Sequence, residues 1–234
     1  MIKLGILNAV TASEEDEFGE KEHQVFINFF DLTPNEIELI EYRVAEGHFP
    51  QSVAECDAYL ITGSPKGAYD LDPWIAQLQD FIRDVYAAQR KMVGICFGHQ
   101  VLAHALGGKA EKSEKGWGLG MGQVEFVEKR PFMSPSIENG NLYFCHQDQV
   151  VQLPPKASRL AGNEFCPNGM FVIDDYVLGI QAHPEFTPEI NQKAIDWFES
   201  HSPEQSALIQ EAQKSSDDNH NHIISNWIVN FIQR

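Results

Sequence analysis

Cys96 stands between two glycines in the run Gly94-Ile-Cys96-Phe-Gly98, which joins a short apolar segment to a segment with helical periodicity. A nucleophile on so sharp a strand-to-helix turn sits in strained backbone, and its neighbours must come close without Cβ clashes. This turn would place the Cys96 sulfur at a sheet edge, beside a helix N-terminus that stabilises a thiolate. It would also direct the next backbone N–H, that of Phe97, toward a developing oxyanion. The run therefore predicts a nucleophilic cysteine.

A thiolate nucleophile needs a histidine base, and the base needs an acceptor that orients it. The chain has nine histidines, and the run Gly179-Ile-Gln-Ala-His183-Pro-Glu185 singles out one of them. An apolar strand ends at His183, and in extended backbone the side chains of His183 and Glu185 project to the same side. Glu185 can then accept from one ring nitrogen while the other faces the thiol. The sequence thus predicts a catalytic set of Cys96, His183 and Glu185.

Four other suggestive features have simpler interpretations. The glycine-rich segment 116–122 does not satisfy G-x-G-x-x-G and precedes a predicted strand, so it is predicted as a turn. The acidic run 14–17 is predicted as a solvated loop or helix start. The segment 217–222 has no second cluster of metal ligands and is predicted as a solvated loop. Cys145 is not on a sharp strand-to-helix turn (a nucleophile elbow) such as that of Cys96, and it is predicted as a packing residue. No phosphate-binding loop, metal site or cofactor is predicted.

Composition excludes several classes of function. The chain has 234 residues, with 17 Lys and Arg against 34 Asp and Glu, a formal net charge of −17. That length fits one domain with an appendage, and the acidic balance argues against duplex nucleic acid and anionic lipid as partners. No segment approaches the ~18 apolar residues of a membrane span, and the first residues do not resemble a signal peptide. Four scattered cysteines indicate a reducing compartment, so we expect a cytoplasmic protein.

Apolar runs alternate with helical periodicity along the chain, which is typical of an α/β fold. Asp72 followed by Pro73 predicts a helix start. The predicted strands cover 2–10, 37–44, 57–62, 91–95, 122–127, 142–145, 170–173 and 177–182. The predicted helices cover 18–30, 75–90, the segment after the Cys96 turn, 190–200, 204–214 and 223–232, with a polar break over 215–222.

Three motifs together resemble those of the class I, triad-type glutamine amidotransferases: GICFGHQ at 94–100, HPE at 183–185 and ITGSPKGAYDLDPW at 61–74. The likeness is greatest to stand-alone proteins similar to the amidotransferase domain of GMP synthase, and it runs from about residue 2 to residue 190. It implies a flavodoxin-like three-layer sandwich with a mostly parallel central sheet. It also implies an amidotransferase domain over 1–190, with a C-terminal helical extension over 191–234 packed on or beside it.

The resemblance implies hydrolysis of the glutamine side-chain amide through a γ-glutamyl thioester. It assigns Cys96 as the nucleophile, His183 as base and acid, and Glu185 as the residue that orients the histidine. Gly63 and Phe97 would supply the oxyanion-hole N–H groups.

The resemblance also implies substrate contacts. Gln100 would help to hold the glutamine. The segment CHQDQV at 145–150 is similar to the family's Ser-His-Gly-Asp-x-Val stretch, which gives His146 and Gln147 as substrate-binding residues. Two positions depart from the family pattern, since Gln147 replaces a glycine and Ser64 stands where many relatives have a second glycine.

Three functions stay open on this basis. The first is an amidotransferase that acts on glutamine and passes ammonia to a separate synthase. The second keeps the chemistry and hydrolyses γ-glutamyl amides or peptides without a partner. The third is a non-catalytic regulatory protein on the same fold.

Overall fold

A computed structural model describes residues 1–34, 36–214 and 218–234. Eleven strands and seven α-helices lie within these ranges. The strands are β1 Ile2–Leu7, β2 Ile37–Tyr42, β3 Ala58–Ile61, β4 Lys91–Ile95, β5 Lys109–Lys112, β6 Gly118–Phe126, β7 Asn139–His146, β8 Asp148–Gln152, β9 Ala157–Gly162, β10 Met170–Ile173 and β11 Val177–Ile180. The helices are α1 Ala12–Phe18, α2 Glu22–Phe30, α3 Pro73–Ala87, α4 Phe97–Ala105, α5 Pro188–His201, α6 Ser206–Ala212 and α7 Asn221–Ile232.

Nine strands form one sheet in the order β2-β1-β3-β4-β11-β10-β9-β6-β7. Its first five strands are parallel, in the order of a flavodoxin-like sheet, and the remaining four pair antiparallel. Strands β5 and β8 form a separate two-stranded ribbon. The predicted α/β class with a mostly parallel central sheet is confirmed.

Helices cover both faces of the parallel strands, which gives three layers. On one face, α2 and α7 pack against β1 and β4 through a cluster that includes Phe26, Phe29 and Trp227. On the other face, α3 and α4 contribute Ile82 and Val101 to a second cluster. Such continuous burial explains why β1, β3 and β4 are almost wholly apolar.

The C-terminal helices pack tightly on the rest of the chain. Trp227 of α7 is fully buried and donates from Nε1 to the Pro135 carbonyl at 2.8 Å, and the Ser225 hydroxyl donates to the Phe29 carbonyl at 3.1 Å. In α5, Phe198 joins a third cluster beside Tyr143 of β7. The division of the chain at residue 190 stays a prediction.

Several local predictions are wrong for physical reasons. The glycine-rich segment predicted as a turn ends at residue 117, because residues 118–122 begin strand β6, where Gly118 lies against Phe165 and Gly122 against Phe144. Strands β5, β8 and β9 were not predicted, since each is short and mixes polar with apolar residues. The predicted helix over 18–30 is divided at Gly19, whose φ of 76° ends α1.

The acidic run and the polar break near the C-terminus also differ from expectation. The run 14–17 lies in α1, a helix start as predicted, but Glu15 is buried and binds Arg43 at 3.3 Å. In the break, Asp217 lies outside the described residues, whereas Asn221 is buried in the first turn of α7 and donates to the Phe186 carbonyl. No helix in the described ranges has the length and apolar character that a membrane span requires.

Candidate active site

Cys96 occupies the single residue between β4 and α4, with φ 51° and ψ −103°. A Cβ on Gly94 would lie 2.4 Å from the backbone of Gly98, and a Cβ on Gly98 would lie 2.3 Å from the Ile61 carbonyl oxygen. Both positions therefore require glycine, because any side chain would push the strand and helix apart. The structure contains the predicted strand–turn–helix, and the strained backbone falls on the cysteine itself.

His183 is brought to Cys96 by neighbouring parallel strands. Strand β11 pairs with β4, with Ile180 opposite Ile95, and the Cys96 N–H donates to the Ile180 carbonyl at 2.9 Å. Residues just beyond the carboxyl ends of these strands are adjacent for this reason. The His183 N–H then donates to the Tyr143 carbonyl of β7 at 2.8 Å, which holds the backbone at this position.

The Glu185 carboxylate contacts the imidazole of His183. Its Oε1 lies 2.7 Å from Nδ1 of His183, and both side chains are buried, with 7% of the histidine and 2% of the carboxylate exposed. Phe186 stacks on the His183 ring with centroids 4.2 Å apart. The ring is thus held from one edge and one face.

The charge distribution favours an imidazolium at His183. Burial acts to lower the pKa of His183, but the neighbouring Cys96 sulfur and the Glu185 carboxylate outweigh it and raise that pKa well above 6.5. Oε2 of Glu185 is buried without a hydrogen-bond partner among the described residues.

The two predicted oxyanion donors flank the cysteine. Gly63 follows β3 closely, and a Cβ built on it would lie 3.2 Å from Cε1 of His183 and 3.9 Å from the Cys96 Cβ. Phe97 is the first residue of α4, where a helix leaves its N–H groups free, and its ring packs on Trp74. A side chain at position 63 would come within 3.2 Å of the histidine ring, so the ring would have to shift to admit it.

The three predicted substrate-binding residues lie in the same cavity as Cys96. Gln100 is buried and donates from Nε2 to the Asp148 carbonyl at 2.8 Å, so its amide nitrogen is already bound. His146 is buried with Nδ1 3.0 Å from the same carbonyl, and burial lowers its pKa to about 3. Gln147 reaches the Ser113 carbonyl at 3.4 Å.

The cavity has a volume of about 640 Å³, and Cys96 lies in its lining. We call one part of the lining the lysine end; it is formed by Lys66, Gly67, Tyr69, Asp70, Lys112 and Asp148. We call another part the aromatic end; it is formed by Phe18, Trp117, Ala194, Trp197 and Phe198. Helices α1 and α5 meet at the aromatic end, where the Lys193 ammonium donates to the Gly19 carbonyl at 2.9 Å.

A family comparison agrees with this arrangement. The model of the family described as glutamine amidotransferase class-I matches residues 30–198. The chain belongs to the class I glutamine amidotransferase family.

The relatives of this chain within the class I amidotransferases have names that state different activities. The chain is 34% identical over 194 residues to gamma-glutamyl peptidase 4 of Arabidopsis thaliana, covering 79% of this chain and 77% of that protein. It is 31% identical over 105 residues to a glutamine-hydrolyzing GMP synthase subunit from Methanoculleus marisnigri, covering 44% and 56%. A glutamine amidotransferase structure from Thermotoga maritima covers 100% of this chain and 99% of its own, with 18% identity and a TM-score of 0.79.

Sequence reasoning missed the cavity wall of this amidotransferase-family protein. Glu22, at the start of α2, lines the cavity together with His183, and so do Phe186 and Trp197. No motif marks these residues, because helical periodicity describes packing and not what a helix faces across a cavity. No cluster of potential metal ligands occurs among the residues that the structure describes.

Proposed function

We propose that this chain is a cysteine hydrolase that cleaves γ-glutamyl amide bonds through a thioester on Cys96. The observation that carries the proposal is the joint placement of Cys96 and the His183–Glu185 pair. The cysteine sits on a strained elbow at a helix N-terminus, and the 2.7 Å pair lies in the same cavity. This combination supplies a nucleophile, a base and an orienting carboxylate.

In the acylation step, the Cys96 thiolate attacks the γ-carbonyl carbon of the substrate. The developing oxyanion is held by the N–H groups of Gly63 and Phe97. The His183 imidazolium donates its proton to the leaving nitrogen, the C–N bond breaks, and the amine departs. The product is a γ-glutamyl thioester and a neutral imidazole.

In the deacylation step, the neutral His183 takes a proton from water, and the resulting hydroxide attacks the thioester. The C–S bond breaks, glutamate leaves, and Cys96 returns as a thiolate beside the imidazolium. Glu185 stabilises that imidazolium in both steps through Nδ1. The raised pKa of His183 fits this cycle, because the resting state holds the proton that acylation consumes.

The space beyond His183 favours a leaving group larger than ammonia. The cavity continues from the catalytic residues to Trp117 and Trp197, and its ~640 Å³ is within the range of sites that bind drug-sized ligands. The likeness to plant gamma-glutamyl peptidases extends over most of both chains. We therefore place a partner-independent γ-glutamyl amide or peptide hydrolase ahead of the alternatives.

A glutaminase that passes ammonia to a separate synthase is the second candidate. The similarity to the GMP synthase subunit from Methanoculleus marisnigri supports it. The loop 63–67, bounded by glycines and lining the cavity, is the segment that a synthase would act on to complete the oxyanion site. A non-catalytic role is less favoured, since such a protein has no need to keep Cys96, His183 and Glu185 together.

The test is to incubate the purified chain with glutamine and a panel of γ-glutamyl amides and to measure glutamate. We expect the purified wild-type chain to release glutamate from the amides at a rate that a second protein does not raise. We expect no glutamate release by Cys96→Ala. Weak activity on glutamine that rises on adding a lysate fraction containing candidate synthases would favour the second candidate. No glutamate from any substrate, with or without that fraction, would contradict both enzymatic functions.

A further inference from the structure

The two ends of the cavity differ in charge. Lys66 and Lys112 line the lysine end together with Asp70 and Asp148, and the Lys66 ammonium pairs with Asp72 at 3.4 Å. A wall formed by α1, the α1–α2 link and the start of α2, which we call the acidic wall, has only carboxylates as its charged lining groups: Glu14, Glu15, Glu17, Glu20 and Glu22. A bound molecule therefore meets charges of both signs at the lysine end and only negative charges at the acidic wall.

The orientation of a γ-glutamyl substrate follows from the general acid. His183 must protonate the leaving nitrogen, so the leaving amine lies on the His183 side of Cys96. His183 leads directly into α5, whose Trp197 and Phe198 line the aromatic end. The glutamyl group, with its carboxylate, then lies toward the lysine end, and the leaving amine extends toward the acidic wall.

Part of the acidic wall is not neutralised by the protein. Glu20 pairs with Lys193 at 2.6 Å, and Glu15 pairs with Arg43. The Glu22 carboxyl has no hydrogen-bond or ion-pair partner within the described ranges. Glu185, whose side chain is 2% exposed, also lines this cavity with its Oε2 unpartnered. Two carboxyl groups beside the leaving nitrogen thus have unused acceptor capacity.

The raised pKa of Glu22 is the value expected for a carboxyl group in a cation-binding cavity that holds no cation. Burial and then the Glu185 carboxylate raise the pKa of Glu22 to about 8, with Glu15 and Glu20 adding to the rise and His183 opposing it. Glu22 therefore keeps its proton at neutral pH when the cavity holds no cation. A positive charge nearby would favour the ionised form.

Aromatic rings complete this side of the cavity. Trp117 meets Phe198 edge to face with centroids 4.8 Å apart, and Trp197 lies 5.6 Å from Phe198. The Trp197 Nε1 donates to Glu17 at 3.4 Å. Aromatic faces next to carboxylates attract an ammonium group and also pack against a methylene chain.

We propose that the aromatic end binds a leaving amine that carries a second, positively charged group on an apolar chain, so that the preferred substrates are mono-γ-glutamyl amides of alkyl diamines. This inference rests on the proposed function and names its substrate class. Leaving groups that end in a carboxylate, as in γ-glutamyl peptides, are disfavoured by the same wall.

Three γ-glutamyl amides of similar length test the effect of charge on the leaving group directly: the amides of 1,4-diaminobutane, butylamine and 4-aminobutanoate. Their leaving groups end in a cation, a methyl group and an anion. We expect kcat/KM to fall in that order, with about tenfold between the cation and the neutral chain at low salt. The cation preference should shrink as ionic strength rises. It should grow as the pH passes 8, because Glu22 then ionises.

Glu22→Gln tests whether the acidic wall causes the preference for a cationic leaving group. Glu199→Gln is the matched control, since Glu199 lies on α5 outside the cavity lining. Glu22→Gln should reduce the cation-to-neutral ratio of kcat/KM to about twofold and remove its rise with pH. Glu199→Gln should keep the wild-type ratio. The salt dependence of the wild-type protein tests the same charge without any substitution.

Failure of this inference differs from failure of the proposed function. Equal kcat/KM for all three amides, or fastest cleavage of the 4-aminobutanoate amide, would overturn the cationic leaving group and leave γ-glutamyl hydrolysis intact. Cleavage of none of the amides and of no peptide, with glutamine still hydrolysed, would overturn the proposed function instead. An unchanged ratio in Glu22→Gln would remove Glu22 from the site.

Discussion

Cys96 and Cys145 line the same cavity, yet the structure around each gives the two thiols different chemistry. Cys96 has a positive φ at the start of α4 and lies beside His183, whose pKa is raised. Cys145 is a residue of strand β7, and burial raises the pKa of its thiol to about 11. Its chain neighbour His146 has a pKa lowered to about 3 by burial, which makes it a weak base.

The difference shows that exposure to the cavity is not what selects a nucleophile. His183, which Glu185 holds in place, acts on the pKa of the Cys145 thiol and also interacts with Cys96, but of the two cysteines only Cys96 stands at a helix N-terminus with a positive φ. We therefore expect the backbone geometry at the helix N-terminus to decide which of the two cysteines reacts. Substitution of Cys96 should therefore reduce activity far more than substitution of Cys145.

The largest effect is expected from Cys96→Ala. Removing the nucleophile should lower kcat by about five to six orders of magnitude while the protein stays folded, because the side chain is small and the elbow glycines are unchanged. Glutamate release from a γ-glutamyl amide measures the loss, and circular dichroism checks the fold. Turnover within tenfold of the wild type would exclude Cys96 as the nucleophile.

The next largest effect is expected from Glu185→Gln. The amide keeps the size of the carboxylate but removes the charge that stabilises the imidazolium, so kcat should fall by roughly 10³–10⁴. Glu189→Gln is the control, since Glu189 is an exposed carboxylate in the first turn of the following helix and should change kcat by less than about twofold. Equal losses in the two variants would remove the specific role of Glu185.

A smaller effect concerns the pH dependence of stability, which involves two buried histidines. Burial lowers the pKa values of both His146 and His99 to about 3, below the ~6.5 of an unfolded chain. The unfolded state then binds more protons between pH 3 and 6.5. Each histidine should therefore reduce the free energy of unfolding by up to about 1.4 kcal/mol per pH unit as the pH falls through this window.

Urea unfolding at several pH values between about 7.5 and 5 measures this slope. His146→Gln should reduce the slope of the free energy of unfolding against pH by about the contribution of one histidine, whereas the wild type retains the contributions of both histidines. A wild-type stability that does not change below pH 6.5 would show that these histidines are protonated or exposed in the folded protein.

The smallest effect is expected from Cys145→Ala. The thiol has no predicted part in the reaction, so kcat should stay within about threefold of the wild type, and only local packing is lost. Cys56→Ala and Cys166→Ala should behave in the same way, because both thiols are buried and burial raises their pKa values. A loss in Cys145→Ala comparable to that in Cys96→Ala would end the distinction between the two cysteines.

The elbow and the histidine strand could be predicted because their signals are local. Gly94 and Gly98 flank Cys96 within five residues, and His183 and Glu185 share one short segment. The parallel pairing of β4 with β11 then brings the two segments together, as expected for an α/β sheet.

The acidic and aromatic walls could not be predicted in this way. The contact of Lys193 with Gly19 and Glu20 joins residues more than 170 positions apart, and Glu22 reaches the site only because α2 begins there. The first residues of strand β6 were predicted as a turn for a related reason, since Gly118 and Gly122 lie against the rings of Phe165 and Phe144 and do not form a turn. Tertiary contacts, rather than local propensity, determine these features.

The most direct test of the central claim is to trap the acyl-enzyme. The purified chain is mixed with a γ-glutamyl amide, quenched in acid during turnover, digested and mapped by mass spectrometry, with Cys96→Ala and Cys145→Ala in parallel. We expect a γ-glutamyl adduct on the peptide that contains Cys96, present in wild type and Cys145→Ala and absent from Cys96→Ala. An adduct on the Cys145 peptide, or turnover by Cys96→Ala at the wild-type rate, would contradict the assignment of Cys96 as the nucleophile.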